Sequence, residues 1–238
     1  MKDLNHVLNS LSSTHYQVKL VPYKSFDFSQ RCFIFPGQGT AFHGMFKELM
    51  DLWPFRNYLD SADELAQAHN IPLPSLYITH PESLEKEHIA LTKNLCLYTV
   101  EVALGQSLIT QGYIPSMITA HSFGEYAAIV TAGILPFESV FDIVLHRELF
   151  SPSPNSLGSM VAIHGGQELV SRILQDIPFF IANLNSPQQV VISLSTEVLP
   201  MAIKRLHQEK IGHILLRDVP QPYHSPLMEP VKAKKGIS

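Results

Sequence analysis

"SMITAHSFGEYAAIVTAG", residues 116–133, is the stretch that decides how this chain folds. Its first residues, "SMITA", form a short β-rich run, and from Gly124 the spacing turns helical until Gly133 can end the helix. A strand that passes through a tight turn straight into a helix is the building unit of a parallel α/β sheet. Such a turn lifts the side chain at its apex clear of the sheet. It also sets that side chain at a helix N-terminus, where backbone N–H groups and the helix dipole favour negative charge. Ser122 sits at this apex, and these residues alone leave a nucleophile and a helix-capping serine equally open. The S-x-G triplet carries nothing by itself: Ser156-Leu157-Gly158 repeats it in a polar loop after Pro154, with no strand to aim the serine.

Outward from this turn, "RCFIF" (31–35) reads as another short strand that stops at Pro36, followed by a glycine-rich loop, "PGQGT". Helical spacing runs through residues 45–67 with an interruption at Pro54, through 94–111 before Gly112, and from Phe137 to Leu149. Strand, helices, strand, turn and helix predict a parallel sheet covered on both faces. The rhythm changes after "SPSPNS" (151–156). Strand 159–164, helix 167–175, strands 179–184 and 189–194, helix 196–209 and strand 211–217 give the βαββαβ order of a ferredoxin-like unit. The expected organisation is an N-terminal extension over 1–30, a large α/β subdomain from 31–156 and 218–238, and a small ferredoxin-like subdomain over 157–217.

Composition removes several function classes. A chain of 238 residues, 45% of them hydrophobic, closes a sizeable core. The net charge of −4 with no basic stripe argues against a nucleic-acid partner. The opening "MKDLNHVLNS" lacks a secretory pattern and no run has the length of a membrane span, so a cytoplasmic protein without membrane contact is expected. Cys32 and Cys96 read as small buried hydrophobes rather than a disulfide. The 12 histidines are scattered without a compact ligand pattern, so no metal site is expected.

Four separated stretches, "FPGQGT" (35–40), "HSFGEY" (121–126), "RELF" beginning at Arg147, and "YHSPLM" (223–228), resemble the malonyl-CoA:acyl-carrier-protein transacylase family. That family includes the acyltransferase domains of polyketide and fatty-acid synthases. "GSMVAI" (158–163) and "ANLNSPQQVVIS" (182–193) add to the match. The resemblance implies an α/β-hydrolase-like parallel-sheet core with an inserted ferredoxin-like subdomain, the arrangement reached above from spacing alone. It also implies Ser122 as nucleophile and His224 as general base, the histidine being oriented by a backbone carbonyl rather than a third carboxylate. A serine hydroxyl needs such a base at neutral pH. The resemblance assigns the backbone N–H groups of Gln38 and Phe123 to the oxyanion hole, Arg147 to the substrate's free carboxylate, and His121 to the acyl pocket. On a helix from Phe137 to Leu149, Arg147 follows Val140 and Val144 along an apolar face, so its charge needs an anionic partner or a route to water.

The expected activity is therefore transfer of a malonyl or related dicarboxylic acyl group from coenzyme A to the phosphopantetheine thiol of an acyl carrier protein, in fatty-acid or polyketide synthesis. No cofactor is implied, coenzyme A entering as the substrate thioester, and a polyketide or fatty-acid synthase is a further possible partner. An acyl-carrier-protein hydrolase and a non-catalytic docking domain are the rival readings. Three positions depart from the family pattern: Ala120 stands for a glycine, Ala41 for a glutamine, and "QPYH" (221–224) matches neither the malonyl-selective nor the methylmalonyl-selective form. The sequence also ends soon after His224, where the family continues, so the family's C-terminal segment is expected to be lacking.

Overall fold

A computed structural model describes residues 31–153, 155–217, 219–229 and 231. The expected extension over 1–30 lies outside the described residues. The chain divides between Leu149 and Phe150 into two compact units.

In the first unit, β1 (Cys32–Phe35) and β2 (Met117–Ala120) pair in parallel, Cys32 opposite Met117 and Phe35 opposite Ala120. Pro36 follows β1 directly and has no N–H to continue a ladder. The crossover from β1 to β2 contains α1 (Phe55–Ala68), the single-turn α2 (Leu76–Thr79) and α3 (Ile89–Thr110). Pro54 stands at the start of α1, and a short 3-10 turn at Lys47–Leu49 precedes it, which accounts for the interrupted spacing. Apolar residues surround α3 on every side, and Leu95, Tyr98, Val100, Val102 and Ala103 are fully buried, as a central helix requires. It packs against α1, α4 (Glu125–Thr131) and α5 (Phe137–Leu149). Tyr98 fastens it to α5, its hydroxyl donating to the Phe137 carbonyl at 2.8 Å and its ring stacking on that of Phe137.

The sheet departs from expectation in its cover. Phe33, Phe35, Ile118 and Ala120 pack on the core, while on the opposite face Ile34 and Met117 remain 72% and 62% exposed. Among the described residues the sheet has two strands, and one face is open. Cys32 lies on that open face and is exposed, contrary to the buried position expected of it, whereas Cys96 is buried in α3.

The second unit holds β3 (Ser159–His164), α6 (Gln167–Ile173), β4 (Phe180–Ser186), β5 (Gln189–Leu194), α7 (Leu199–Gln208) and β6 (His213–Leu215). Its sheet runs β4-β5-β3-β6, antiparallel throughout, which is the ferredoxin-like arrangement expected from the βαββαβ order. Val161, Ile163, Val190, Ile192 and Leu194 from the sheet pack with Val170, Leu174, Ala202 and Leu206 from the helices. The second S-x-G triplet finds its reason here. Gly158 has φ +150, and a Cβ on it would stand 2.0 Å from the Leu194 carbonyl oxygen. Close backbone approach requires that glycine, and the Ser156 N–H donates locally to the Ser153 carbonyl at 3.1 Å.

The described part of 219–229 ties into this unit. Asn155 N–H donates to the Pro220 carbonyl at 2.7 Å, the Gln221 side chain to the Pro152 carbonyl at 2.8 Å, and the Ser193 hydroxyl to the Tyr223 carbonyl at 2.6 Å. Pro152 and Asn155 belong with these residues to the expected larger subdomain, and the Ser193–Tyr223 bond joins that stretch to the ferredoxin-like sheet.

Candidate active site

β2 ends at Ala120, His121 keeps extended backbone angles, and Ser122 turns the chain with φ +53. A positive φ is uncommon for a residue with a Cβ, and it is held only where surrounding structure over-determines it. Here both sides of the turn are clamped. The His121 N–H donates to the Phe35 carbonyl at 2.8 Å, and Gly124 N–H returns to the His121 carbonyl at 3.1 Å. A 3-10 turn over Ser122–Gly124 then leads into α4. Gly124 presses against the end of β1, where an added Cβ would meet the Pro36 and Phe35 carbonyl oxygens at 2.4 and 2.6 Å. The glycine two residues after the serine thus lets the turn sit tightly on the first strand.

The "PGQGT" loop comes to the same place. Gln38–Thr40 forms a 3-10 turn that packs against the Ser122 turn, closed by Thr40 N–H and hydroxyl donating to the Gly37 carbonyl at 3.1 and 2.9 Å. Gly37 lies against His121, its hypothetical Cβ 3.0 Å from Nδ1 of that ring. Gln38 is buried, Ser122 half-buried, His121 exposed and Phe123 buried.

Arg147, in the last turn of α5, closes the cluster. Its guanidinium lies 5.3 Å from the centre of the Phe123 ring, and Nη2 donates to Gln38 Oε1 at 3.3 Å. Its Nη1 donates to Oε1 of Glu148, with side-chain exposures of only 17% and 5% for the two residues. The anionic partner that an arginine on an apolar face requires is therefore the next residue in the chain. Tyr126 stands edge-on to Phe123, and its phenol is pushed up by burial, a shift that Arg147 opposes and that Glu148 and Glu125 add to. Neither Glu148 nor Tyr126 was anticipated as part of this cluster. No sequence signal pointed to the first, since neighbouring residues on a helix do not ordinarily face each other.

Five of the six expected site residues, Gln38, His121, Ser122, Phe123 and Arg147, thus gather in the first unit. His224 belongs to the second, exposed, with φ +56, ahead of a 3-10 turn at Pro226–Met228. Ser225 beside it donates to the Pro222 carbonyl. Among the described residues, Glu85, Glu87 and His88 bring three potential metal donors together just ahead of α3. No helix among the described residues is long and apolar enough to cross a membrane.

A cavity of about 470 Å3 in the first unit is lined by β1, Phe42, Phe46 and the α3 residues Leu97, Glu101 and Leu104. Glu101 is 5% exposed, neither carboxyl oxygen has a hydrogen-bond partner among the described residues, and burial pushes its pKa up to about 9.

The arrangement has known counterparts. Residues 32–235 match the family model described as "Acyl transferase domain". The chain is 32% identical over 217 residues to the malonyl CoA-acyl carrier protein transacylase of Bacillus subtilis (strain 168), covering 87% of this chain and 66% of that one. It is 31% identical over 233 residues to the non-reducing polyketide synthase gsfA of Penicillium aethiopicum, covering 95% of this chain and 12% of the synthase. Among solved structures, the acyltransferase domain from the second module of the salinomycin polyketide synthase superposes with a TM-score of 0.71 at 28% identity, over 86% of this chain and 48% of that one. The chain spans slightly less than two thirds of the transacylase and smaller shares of the other two. A serine at the apex of a strand-turn-helix, with the glycine-rich loop and the α5 arginine gathered around it, agrees with a match that runs through both units: the chain belongs to the acyl transferase domain family.

Proposed function

We propose that the chain moves an acyl group, malonyl or a related dicarboxylic one, from coenzyme A to the phosphopantetheine thiol of an acyl carrier protein in fatty-acid or polyketide synthesis. The observation that carries this reading is the Ser122 turn, held at positive φ against the Gln38 turn with the Arg147 guanidinium over Phe123. In the first half-reaction the Ser122 hydroxyl attacks the thioester carbonyl while the His224 imidazole takes its proton. The negative charge that forms on the carbonyl oxygen is received by the N–H groups of Phe123 and Gln38. One such donor is typically worth roughly 100- to 1000-fold in rate. The carbon–sulfur bond then breaks, and His224 returns the proton to the departing coenzyme A thiol. In the second half-reaction the carrier thiol gives its proton to His224, attacks the acyl-serine ester and releases the Ser122 hydroxyl.

His121 borders the acyl chain, and Arg147 faces the far carboxylate. A serine–histidine pair supplies both nucleophile and proton transfer, so the reaction needs no metal or resident cofactor. The proposed compartment is the cytoplasm, where coenzyme A thioesters are available. The partners are a carrier protein and, where the chain works within a larger assembly, a polyketide or fatty-acid synthase. The test is intact-mass analysis after mixing with malonyl-CoA. A single malonyl adduct is expected on Ser122, lost in Ser122→Ala and discharged by a carrier protein bearing phosphopantetheine. Absence of any adduct with a dicarboxylic acyl-CoA would refute the reading.

A further inference from the structure

The guanidinium that would hold the acyl carboxylate is already engaged by an acid of the chain itself. Arg147 donates through Nη1 to Glu148 Oε1 and through Nη2 to Gln38 Oε1 at 3.3 Å, while its flat face covers Phe123. Glu148 is 5% exposed at its side chain. Its charge is therefore not dispersed into solvent, and Arg147 compensates it at close range. Two-pronged binding of a carboxylate takes two neighbouring N–H groups of a guanidinium. A dicarboxylic acyl group arriving at Arg147 must either share the guanidinium with Glu148, two anions facing one cation, or displace Glu148 and leave it buried without its partner. A neutral acyl group meets neither cost. It also leaves no unpaired cation behind, because Glu148 still satisfies Arg147.

We propose that Glu148 is a specificity-determining residue: by engaging Arg147 from within the chain, it weakens the preference for carboxylated acyl groups and admits neutral acyl thioesters. This rests on the acyl-serine reading above and refines which acyl groups that serine accepts. The expected effect is roughly tenfold to a hundredfold in discrimination, the worth of one hydrogen bond to a charged group. It should act on malonyl recognition and leave acetyl loading nearly unchanged.

The experiment measures loading of Ser122 from malonyl-CoA and from acetyl-CoA, with separate kcat and KM, for the full chain and for Glu148→Gln and Glu148→Ala. The first variant keeps the shape and removes the charge. The second keeps a good helix former and removes the acceptor. Both are expected to lower the malonyl KM and raise the malonyl-to-acetyl ratio by about tenfold or more, and the gain should vanish when Arg147→Ala is added. A ratio that stays the same or falls in both variants, with loading intact, overturns the proposal and leaves Glu148 as a support that merely positions Arg147. If Glu148→Gln changes the ratio equally with and without Arg147, competition for the guanidinium is likewise refuted. No adduct from either donor on the unaltered chain overturns the acyl-serine reading itself and the proposal with it, an outcome distinct from loading without a Glu148 effect.

Discussion

Gly124→Ala probes the coupling between the nucleophile turn and the first strand. The new methyl carbon would lie 2.4 Å from the Pro36 carbonyl oxygen and 2.6 Å from that of Phe35. Carbon–oxygen contacts rest at roughly 3.3–3.6 Å, so the Ser122–Gly124 turn and the β1 end must separate by about 1 Å. Both obstacles are backbone, and neither swings aside as a side-chain tip would. Strain of this kind costs about 1–3 kcal/mol. The functional loss should be larger than the loss of stability suggests. The separation opens the seam between the Ser122 and Gln38 turns, which carry the proposed oxyanion donors, and a misplacement of about 1 Å in a catalytic arrangement costs on the order of 100-fold. Urea unfolding followed by a first-unit probe, beside the rate of Ser122 acylation, measures both quantities. A lowered midpoint with acylation down by about two orders of magnitude is expected. A variant with the parent's midpoint and the parent's rate would show that the turn does not depend on that contact.

Glu101→Gln should alter the pH dependence of stability. Burial raises the Glu101 pKa to about 9 in the folded chain, so the native state keeps a proton that the unfolded state gives up above its ordinary carboxylate range. Stability is then fully present below about pH 4 and falls by up to ~1.4 kcal/mol per pH unit between there and about pH 9. The glutamine variant should unfold at higher denaturant than the parent at pH 8 and lose much of this slope, and equal slopes in the two proteins would discount the buried carboxyl. Tyr98→Phe removes the hydroxyl that donates to the Phe137 carbonyl at 2.8 Å while leaving the stacked ring. A loss of about 1 kcal/mol is expected by denaturant unfolding, and no loss would mean that this buried bond adds nothing beyond ring packing.

Local regularity was legible in the sequence wherever the pattern and the final packing agree. Helix α5 has the bounds Phe137–Leu149 read from its spacing, and β3 and β5 coincide with the expected strands, because one side of each meets a core. Helix α3 starts at Ile89 instead of Asn94, its apolar surround giving no clear edge to read. Helix α7 starts at Leu199 rather than 196, with Pro200 in its first turn, where a missing N–H costs nothing. The strand expected over 211–217 shrinks to His213–Leu215, the part that finds a partner in β3. The open face of the β1–β2 sheet could not be read, since an apolar run such as "CFIF" looks the same whether or not a layer covers it. Within the candidate site, the Ser122 turn and the loop around Gln38 were readable as motifs. The engagement of Arg147 by Glu148 was not, because adjacency in sequence says nothing about whether two helical side chains turn toward each other.

The uncovered face of the two-stranded sheet bears on how this polypeptide behaves in a test tube. Among the described residues, Ile34 and Met117 are exposed on a short pair of strands whose open edges and apolar face invite pairing with another copy. Self-association that rises with concentration is the expected outcome, and light scattering across a dilution series measures it.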